Sequence, residues 1–128
     1  MVHDVARPCV RADDVRKLIR QGEQFDAVGG ILANQVRDTM KRGNRINQIE
    51  ATVDRSQLWH ALTPQLFRLG DLRRAIESAL DEGLLVTDES AAMERLGHHP
   101  LLVEGMHDNI KITHPLDLAL TELYIQRQ

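Results

Sequence analysis

The stretch Gly105-Met106-His107-Asp108-Asn109-Ile110-Lys111-Ile112-Thr113-His114-Pro115-Leu116-Asp117-Leu118 decides how the rest of the chain is read. It reads as a loop, a short strand and the start of a helix. Ile110 and Ile112 alternate with Lys111, which puts the isoleucines on one face of an extended segment and the lysine on the other. Pro115 suits a first helical turn, where its missing N–H costs nothing, and Asp117 suits the positive end of that helix. Beyond it, Leu116, Ala119, Leu120, Leu123 and Tyr124 recur at three and four residues, predicting a buried stripe. A lysine between two inward isoleucines, beside a carboxylate and a helix N-terminus, is arranged to hold an anion such as a phosphate. A solvated edge lysine has the same spacing, so spacing alone leaves both readings open.

Around that stretch the chain has 128 residues, enough for one ordinary domain with a real core and not for two. Apolar residues make up 42% and aromatics only 3%, so the core is expected to be Leu, Ile, Val and Ala. A net charge of −3 and the lack of stacking aromatics argue against a nucleic-acid partner. With a single cysteine, Cys9, no internal disulfide framework is available, which suits a reducing cytoplasm. No apolar run is long enough to span a bilayer, and no membrane partner is expected.

Met1-Val2 leads directly into His3-Asp4-Val5-Ala6-Arg7-Pro8, a charged cluster of the kind that follows a strand. Only one or two residues of such a strand are present, so the chain is expected to begin in mid-fold. Arg11–Gln24 predicts an amphipathic helix with Val15, Leu18 and Ile19 inward. Phe25–Val28 links it to Gly29-Gly30, a mark of close backbone approach, and then to the strand Ile31-Leu32-Ala33. Helix followed by apolar strand suggests a parallel sheet with crossovers. Val36–Gln57 is different: Gly43-Asn44 signals a turn between Thr39–Arg42 and Ile46–Val53, and one face of the second limb is apolar. So lightly apolar a hairpin must lean on the body of the domain or on another subunit.

Leu58–Leu62 reads as a short apolar segment ended by Thr63-Pro64-Gln65. Asp71 can cap a helix whose Leu72, Ala75, Ile76, Ala79 and Leu80 face inward, closing at Gly83. Thr87-Asp88 starts a short helix through Ala92, Met93 and Leu96, ended by Gly97, and Leu101-Leu102-Val103 is the last buried strand.

Adjacent His3-Asp4 invites a metal-hydrolase reading, yet no second ligand pair has a suitable spacing. Cys9 has Arg7 and Arg11 nearby but no base at a defined place, and reads as buried and structural. Asp4 and Arg7, placed after a strand end, can serve a phosphate with its Mg²⁺ or simply cap a helix. Those two uses stay open on the residues alone.

Six blocks then fall in order: His3-Asp4-Val5-Ala6-Arg7-Pro8; Val36-Arg37-Asp38-Thr39-Met40-Lys41; Thr52-Val53-Asp54-Arg55 with Leu58-Trp59; Thr63-Pro64-Gln65-Leu66-Phe67; Thr87-Asp88-Glu89-Ser90-Ala91; and Asp108-Asn109-Ile110-Lys111-Ile112-Thr113. Together they resemble the 2-C-methyl-D-erythritol 4-phosphate cytidylyltransferases of the non-mevalonate isoprenoid pathway. The resemblance implies a Rossmann-like nucleotidyltransferase α/β fold with a projecting β-hairpin arm, residues 36–57, that forms a homodimer. It implies transfer of CMP from CTP to methylerythritol phosphate, release of pyrophosphate, and Mg²⁺ as cofactor. By position, Asp4 and Arg7 would sit at the nucleotide, with Asp4 also at the metal. Thr39, Arg55, Thr87, Asp108 and Lys111 would bind the substrate, and Arg55 and Lys111 would carry the charge stabilisation of catalysis. Thr39 and Arg55 would reach the neighbouring subunit's substrate.

The sequence departs from the family's pattern in one respect. The family's glycine-rich block, Pro-Ala-Ala-Gly-x-Gly-x-Arg, followed by Pro-Lys-Gln, is not among these 128 residues, nor is its Asp-Gly-x-x-Arg block. The likeness is therefore to the C-terminal portion, and the expectation is a single truncated domain, residues 1–128, without turnover of its own. The sister family acting on ribitol 5-phosphate, or a non-catalytic binding and dimerisation module, are the alternative readings.

Overall fold

The structure is a computed structural model that describes residues 1–24 and 27–128; Phe25 and Asp26 of the expected link lie outside the described residues. In chain order the elements are α1 (Ala12–Gly22), β1 (Gly29–Gln35), β2 (Met40–Gly43), β3 (Ile49–Val53), β4 (Trp59–Phe67), α2 (Leu69–Asp81), α3 (Glu89–Arg95), β5 (Leu101–Glu104) and α4 (Pro115–Gln126). β1 is the centre of a three-stranded sheet, antiparallel to β4 and parallel to β5. The crossover expectation thus holds for β1 and β5, while β4 makes the sheet mixed.

β1 is apolar without alternation because it is covered on both faces. On one side Ile31 and Ala33 pack with Phe67, with Leu72 and Ala75 of α2, and with Ala92 and Met93 of α3. On the other, Leu32 packs with Leu18 of α1, Leu62 and Val103. The result is a helix–sheet–helix sandwich. Gly29-Gly30 opens β1 where neighbours come too near for a side chain. A Cβ on Gly29 would lie 2.1 Å from the Leu66 carbonyl oxygen, and one on Gly30 would lie 2.9 Å from that of Leu101.

Several local expectations are corrected. β4 runs on through Thr63-Pro64-Gln65 instead of ending there. The β1–β4 register shifts between Ile31 and Ala33, so Pro64 falls in a bulge where its missing N–H breaks no ladder bond. On the other side of β4, Val2 pairs with Gln65 through reciprocal backbone bonds of 2.8 and 2.9 Å. Residues 109–113 form no strand; the alternation survives only as burial, with Ile110 and Ile112 half-buried and Lys111 exposed. The Ile112 N–H is instead taken by the Ala6 carbonyl at 2.8 Å.

α4 forms as expected, but its stripe does not: only Thr121 is buried, and Leu116 is 86% exposed. Leu116, Leu118, Leu120, Leu123 and Ile125 place apolar side chains on every side, so a three-and-four spacing could be drawn on any face. In β5 only Val103 is buried, because β5 is an edge strand and Leu101 and Leu102 stay partly exposed. Leu80 is likewise exposed, off the line of Leu72, Ala75 and Ala79. Gly83 and Gly97 follow α2 and α3 with positive φ, closing both helices as read.

The hairpin is β2–β3, joined by Asn44–Asn47 rather than a Gly43-Asn44 turn; the Asn44 side-chain oxygen accepts from the Ile46 and Gln48 amides. Every residue of β2 and β3 is exposed except half-buried Val53. Among the described residues the hairpin buries almost nothing against the body of the chain.

Candidate functional site

Three segments converge at one end of the sheet: the N-terminal loop, Thr63 in the β4 bulge, and the loop after β5. The Thr63 hydroxyl accepts from the Asp4 amide at 3.0 Å and lies 2.9 Å from the His3 ring. Nδ2 of Asn109, a fully buried side chain, donates to the Thr63 carbonyl at 2.8 Å. The Asn109 carbonyl in turn accepts from the Arg7 guanidinium at 2.8 Å. Thr63 and Asn109 therefore fix where Asp4 and Arg7 stand.

Onto that frame Lys111 brings its ammonium 2.8 Å from the Asp4 carboxylate, while Arg7 Nε lies 3.9 Å from the same oxygen. The hydrogen bond from Lys111 holds the Asp4 carboxyl below its usual range, aided by the charges of Lys111, Arg7 and His3. Burial lowers the Arg7 pKa, and Asp4 opposes that. The Arg7 side chain is only 13% exposed, and its buried Nε has no hydrogen-bond partner among the described residues. A cleft of about 480 Å³ opens here, lined by Arg7, Asn34, His60, His107, Asn109 and Lys111 among others. Arg7 and Lys111 line it, and Asp4 pairs with both from outside the lining; two cations at a concave surface, with a carboxylate behind them, are suited to a phosphate.

The remaining residues singled out in the sequence stand apart. Arg55 lines a second groove with Gln35, Val36, Arg37, Asp54 and Ser56, which shares no residue with the cleft. Its guanidinium makes no ion pair among the described residues. Thr39 is exposed at the start of the arm. Thr87 is exposed beside Asp88, which caps α3 through the Ala91 amide at 2.9 Å and accepts from Gln65. Asp108 is buried and bound to Arg11, facing α1 rather than lining the cleft. Cys9 is fully buried, and burial raises its thiol pKa, as a structural cysteine requires.

Among the described residues no three His, Cys, Asp or Glu side chains gather to hold a metal. The His3 ring is taken up by Thr63 and by the Arg7 carbonyl at 3.0 Å. Asp4 uses Oδ2 for both cations, and Oδ1 accepts from no described residue. One hard oxygen fits a Mg²⁺ that arrives already held by phosphates, and does not make a cage by itself. The scaffold residues Thr63 and Asn109 escaped sequence reasoning as site residues. A buried threonine and asparagine leave no periodicity, and only their place inside quoted blocks could have flagged them.

A protein from Vibrio parahaemolyticus serotype O3:K6 named 2-C-methyl-D-erythritol 4-phosphate cytidylyltransferase is 54% identical over 128 residues, covering 100% of this chain and 54% of its own length. A protein of the same name from Yersinia pestis is 56% identical over 130 residues, covering 100% of this chain and 54% of its own. The crystal structure of the Francisella tularensis enzyme of that name superposes with a TM-score of 0.89 at 39% identity, covering 96% of this chain and 57% of that one. The chain thus spans about half the length of the curated relatives it matches. A sequence model of the family described as IspD, 2-C-methyl-D-erythritol 4-phosphate cytidylyltransferase, matches residues 1–127, and on that match the chain belongs to this family.

Proposed function

We propose that this chain carries the acceptor-phosphate side of a cytidylyltransferase site, in which CMP passes from CTP to 2-C-methyl-D-erythritol 4-phosphate. The observation that carries the reading is the Asp4–Arg7–Lys111 cluster at a cleft, in a chain of this family. A phosphate oxygen of the polyol phosphate attacks the α-phosphorus of CTP. The bond to the β-phosphate breaks, and pyrophosphate leaves with the electron pair. Such transfers gain most from positioning and from charge placed where charge develops.

Lys111 binds the acceptor phosphate and gives up Asp4 as its partner when it does so. Arg7 already has one N–H committed to Asn109, so its fork is fixed before ligand arrives. Asp4, freed in part, accepts from a ligand hydroxyl, and it would be the residue here that helps hold a Mg²⁺ brought by the triphosphate. When bound, Mg²⁺ neutralises charge on the departing phosphates. Arg55 and Thr39, on an arm that among the described residues buries almost nothing against its own chain, reach the acceptor phosphate of a second copy. Asp108 acts by holding the loop through Arg11, and Thr87, exposed next to the Asp88 cap of α3, is open to a ligand. The compartment consistent with this metabolism is the cytoplasm.

The test uses calorimetric titration of this chain with methylerythritol phosphate, ribitol 5-phosphate and inorganic phosphate. Pyrophosphate release from CTP is followed in parallel. Preferential binding of methylerythritol phosphate, without release of pyrophosphate from these 128 residues alone, is expected. Preference for ribitol 5-phosphate would move the assignment to the sister activity. No binding of any phosphate would leave a non-catalytic module.

A further inference from the structure

Three polar side chains stand at three-residue steps along one edge of α1 and its cap: Arg11, Asp14 and Lys17. Together they reach the end of β5 and the loop after it, in antiparallel order. Arg11 Nε donates to the Asp108 carboxylate at 3.0 Å, with a second contact from the same guanidinium. Asp14, itself buried, accepts from the Met106 amide at 2.8 Å. Lys17 donates to the Glu104 carbonyl at 2.7 Å. A three-residue step on a helix keeps side chains on one face, so the match to Asp108, Met106 and Glu104 follows from periodicity.

This loop is the one that delivers the cleft. Asn109, next to Asp108, supplies the carbonyl that orients Arg7, and Lys111 follows two residues later. Among the described residues Asp108 Oδ1 is buried without a partner, and Arg11 is the one side chain that binds the carboxylate. We propose that Arg11, Asp14 and Lys17 are positioning residues: a polar ladder on α1 sets the path of residues 104–109 and thereby the placement of Arg7 and Lys111 against the acceptor phosphate. The inference deepens the proposed function and rests on Lys111 as a phosphate ligand. It touches no substrate directly.

Amide hydrogen exchange on the unliganded chain reads the ladder without any assumption about substrate. In Arg11→Met and Lys17→Met, the Met106 and Ile112 amides should exchange about tenfold faster than in the parent, while the Val103 amide in the core keeps its rate. Arg16→Met, on the exposed side of α1, should change neither. Binding of methylerythritol phosphate should weaken about tenfold in Arg11→Met, as for loss of one well-placed charged contact, and recover in part in Arg11→Lys. If Arg11→Met does not fold, Lys17→Met decides, since it removes one exposed donor. Unchanged Met106 and Ile112 exchange in the folded variants would overturn the proposal. So would acceleration matched at Val103, which would mean general destabilisation. If the parent binds no polyol phosphate, the proposed function fails, and the exchange pattern still decides the ladder.

Discussion

Lys111 has a carboxylate on one side and half-buried isoleucines on either side in sequence, and this arrangement limits what a substitution can do. Lys111→Met keeps the stem packing and removes the charge. A hydrogen bond to a charged group contributes about 1.5–3 kcal/mol, so affinity for the acceptor phosphate should fall roughly ten- to a hundredfold by calorimetry, with the fold intact by circular dichroism. The role proposed for this lysine could be drawn from the sequence because its motif is contiguous. The setting of Arg7 was not, since it depends on Asn109 and Thr63, which lie 102 and 56 positions away in the chain, respectively, and meet only through the β4 bulge. Asp108 shows the reverse case: its place in the motif suggested a ligand, and the side chain faces Arg11. Gly30 is a residue whose need was readable from sequence and whose cause was not. Gly30→Ala drives a Cβ against the Leu101 backbone, and overpacking of that kind costs about 1–3 kcal/mol, measurable by urea denaturation.

Elements were legible wherever a cap or a period was local. α1, α2 and α3 form close to where the patterns put them, and α2 and α3 end at their expected glycines; but α2 starts at Leu69, before the Asp71 read as its cap, and α1 ends at Gly22, short of Gln24. What failed needed knowledge of neighbours: β4 crosses its proline because the bulge absorbs it, and α4 shows little of the burial its leucines suggested. α4 is held at its start instead. Asp117 accepts from the Thr113 and His114 amides at 2.9 and 2.8 Å, and these bonds lower its carboxyl pKa. A carboxyl depressed in the folded state contributes stability that is present above the ordinary carboxylate range and is lost as pH falls through the lowered value. Acidification should therefore unwind the first turn of α4, seen in ¹³Cα shifts of residues 115–118, and Asp117→Asn should show that frayed state already at neutral pH. At α3 the cap is Asp88, and Asp88→Ala should cost about 0.5–2 kcal/mol, with Gln65 also losing a partner.

At the scale of the whole molecule, the arm is the element whose exposure is hardest to reconcile with a free chain. β2 and β3 contain charged side chains and almost no burial, and Arg55 makes no ion pair among the described residues. The groove around Arg55 shares no residue with the cleft that holds Lys111, so within one chain the two cations serve different surfaces. In the two-fold dimer proposed for this arm, each arm would reach across and bring Arg55 of one copy to the phosphate that Lys111 of the other would hold. An arginine suits that role, since its planar fork fixes orientation as well as adding charge. The consequence is testable by mixing in an enzyme of the relatives' full length that carries these residues. Arg55→Ala and Lys111→Ala variants should each be inactive alone. In a mixed dimer with shared sites, one site carries both lesions and the other carries neither. Random assortment makes half the dimers mixed, each with one intact site of two, so activity should recover to about a quarter of the parent. Dimers shown by mass spectrometry to have exchanged subunits, yet still inactive, would place Arg55 and Lys111 in the service of the same chain's site.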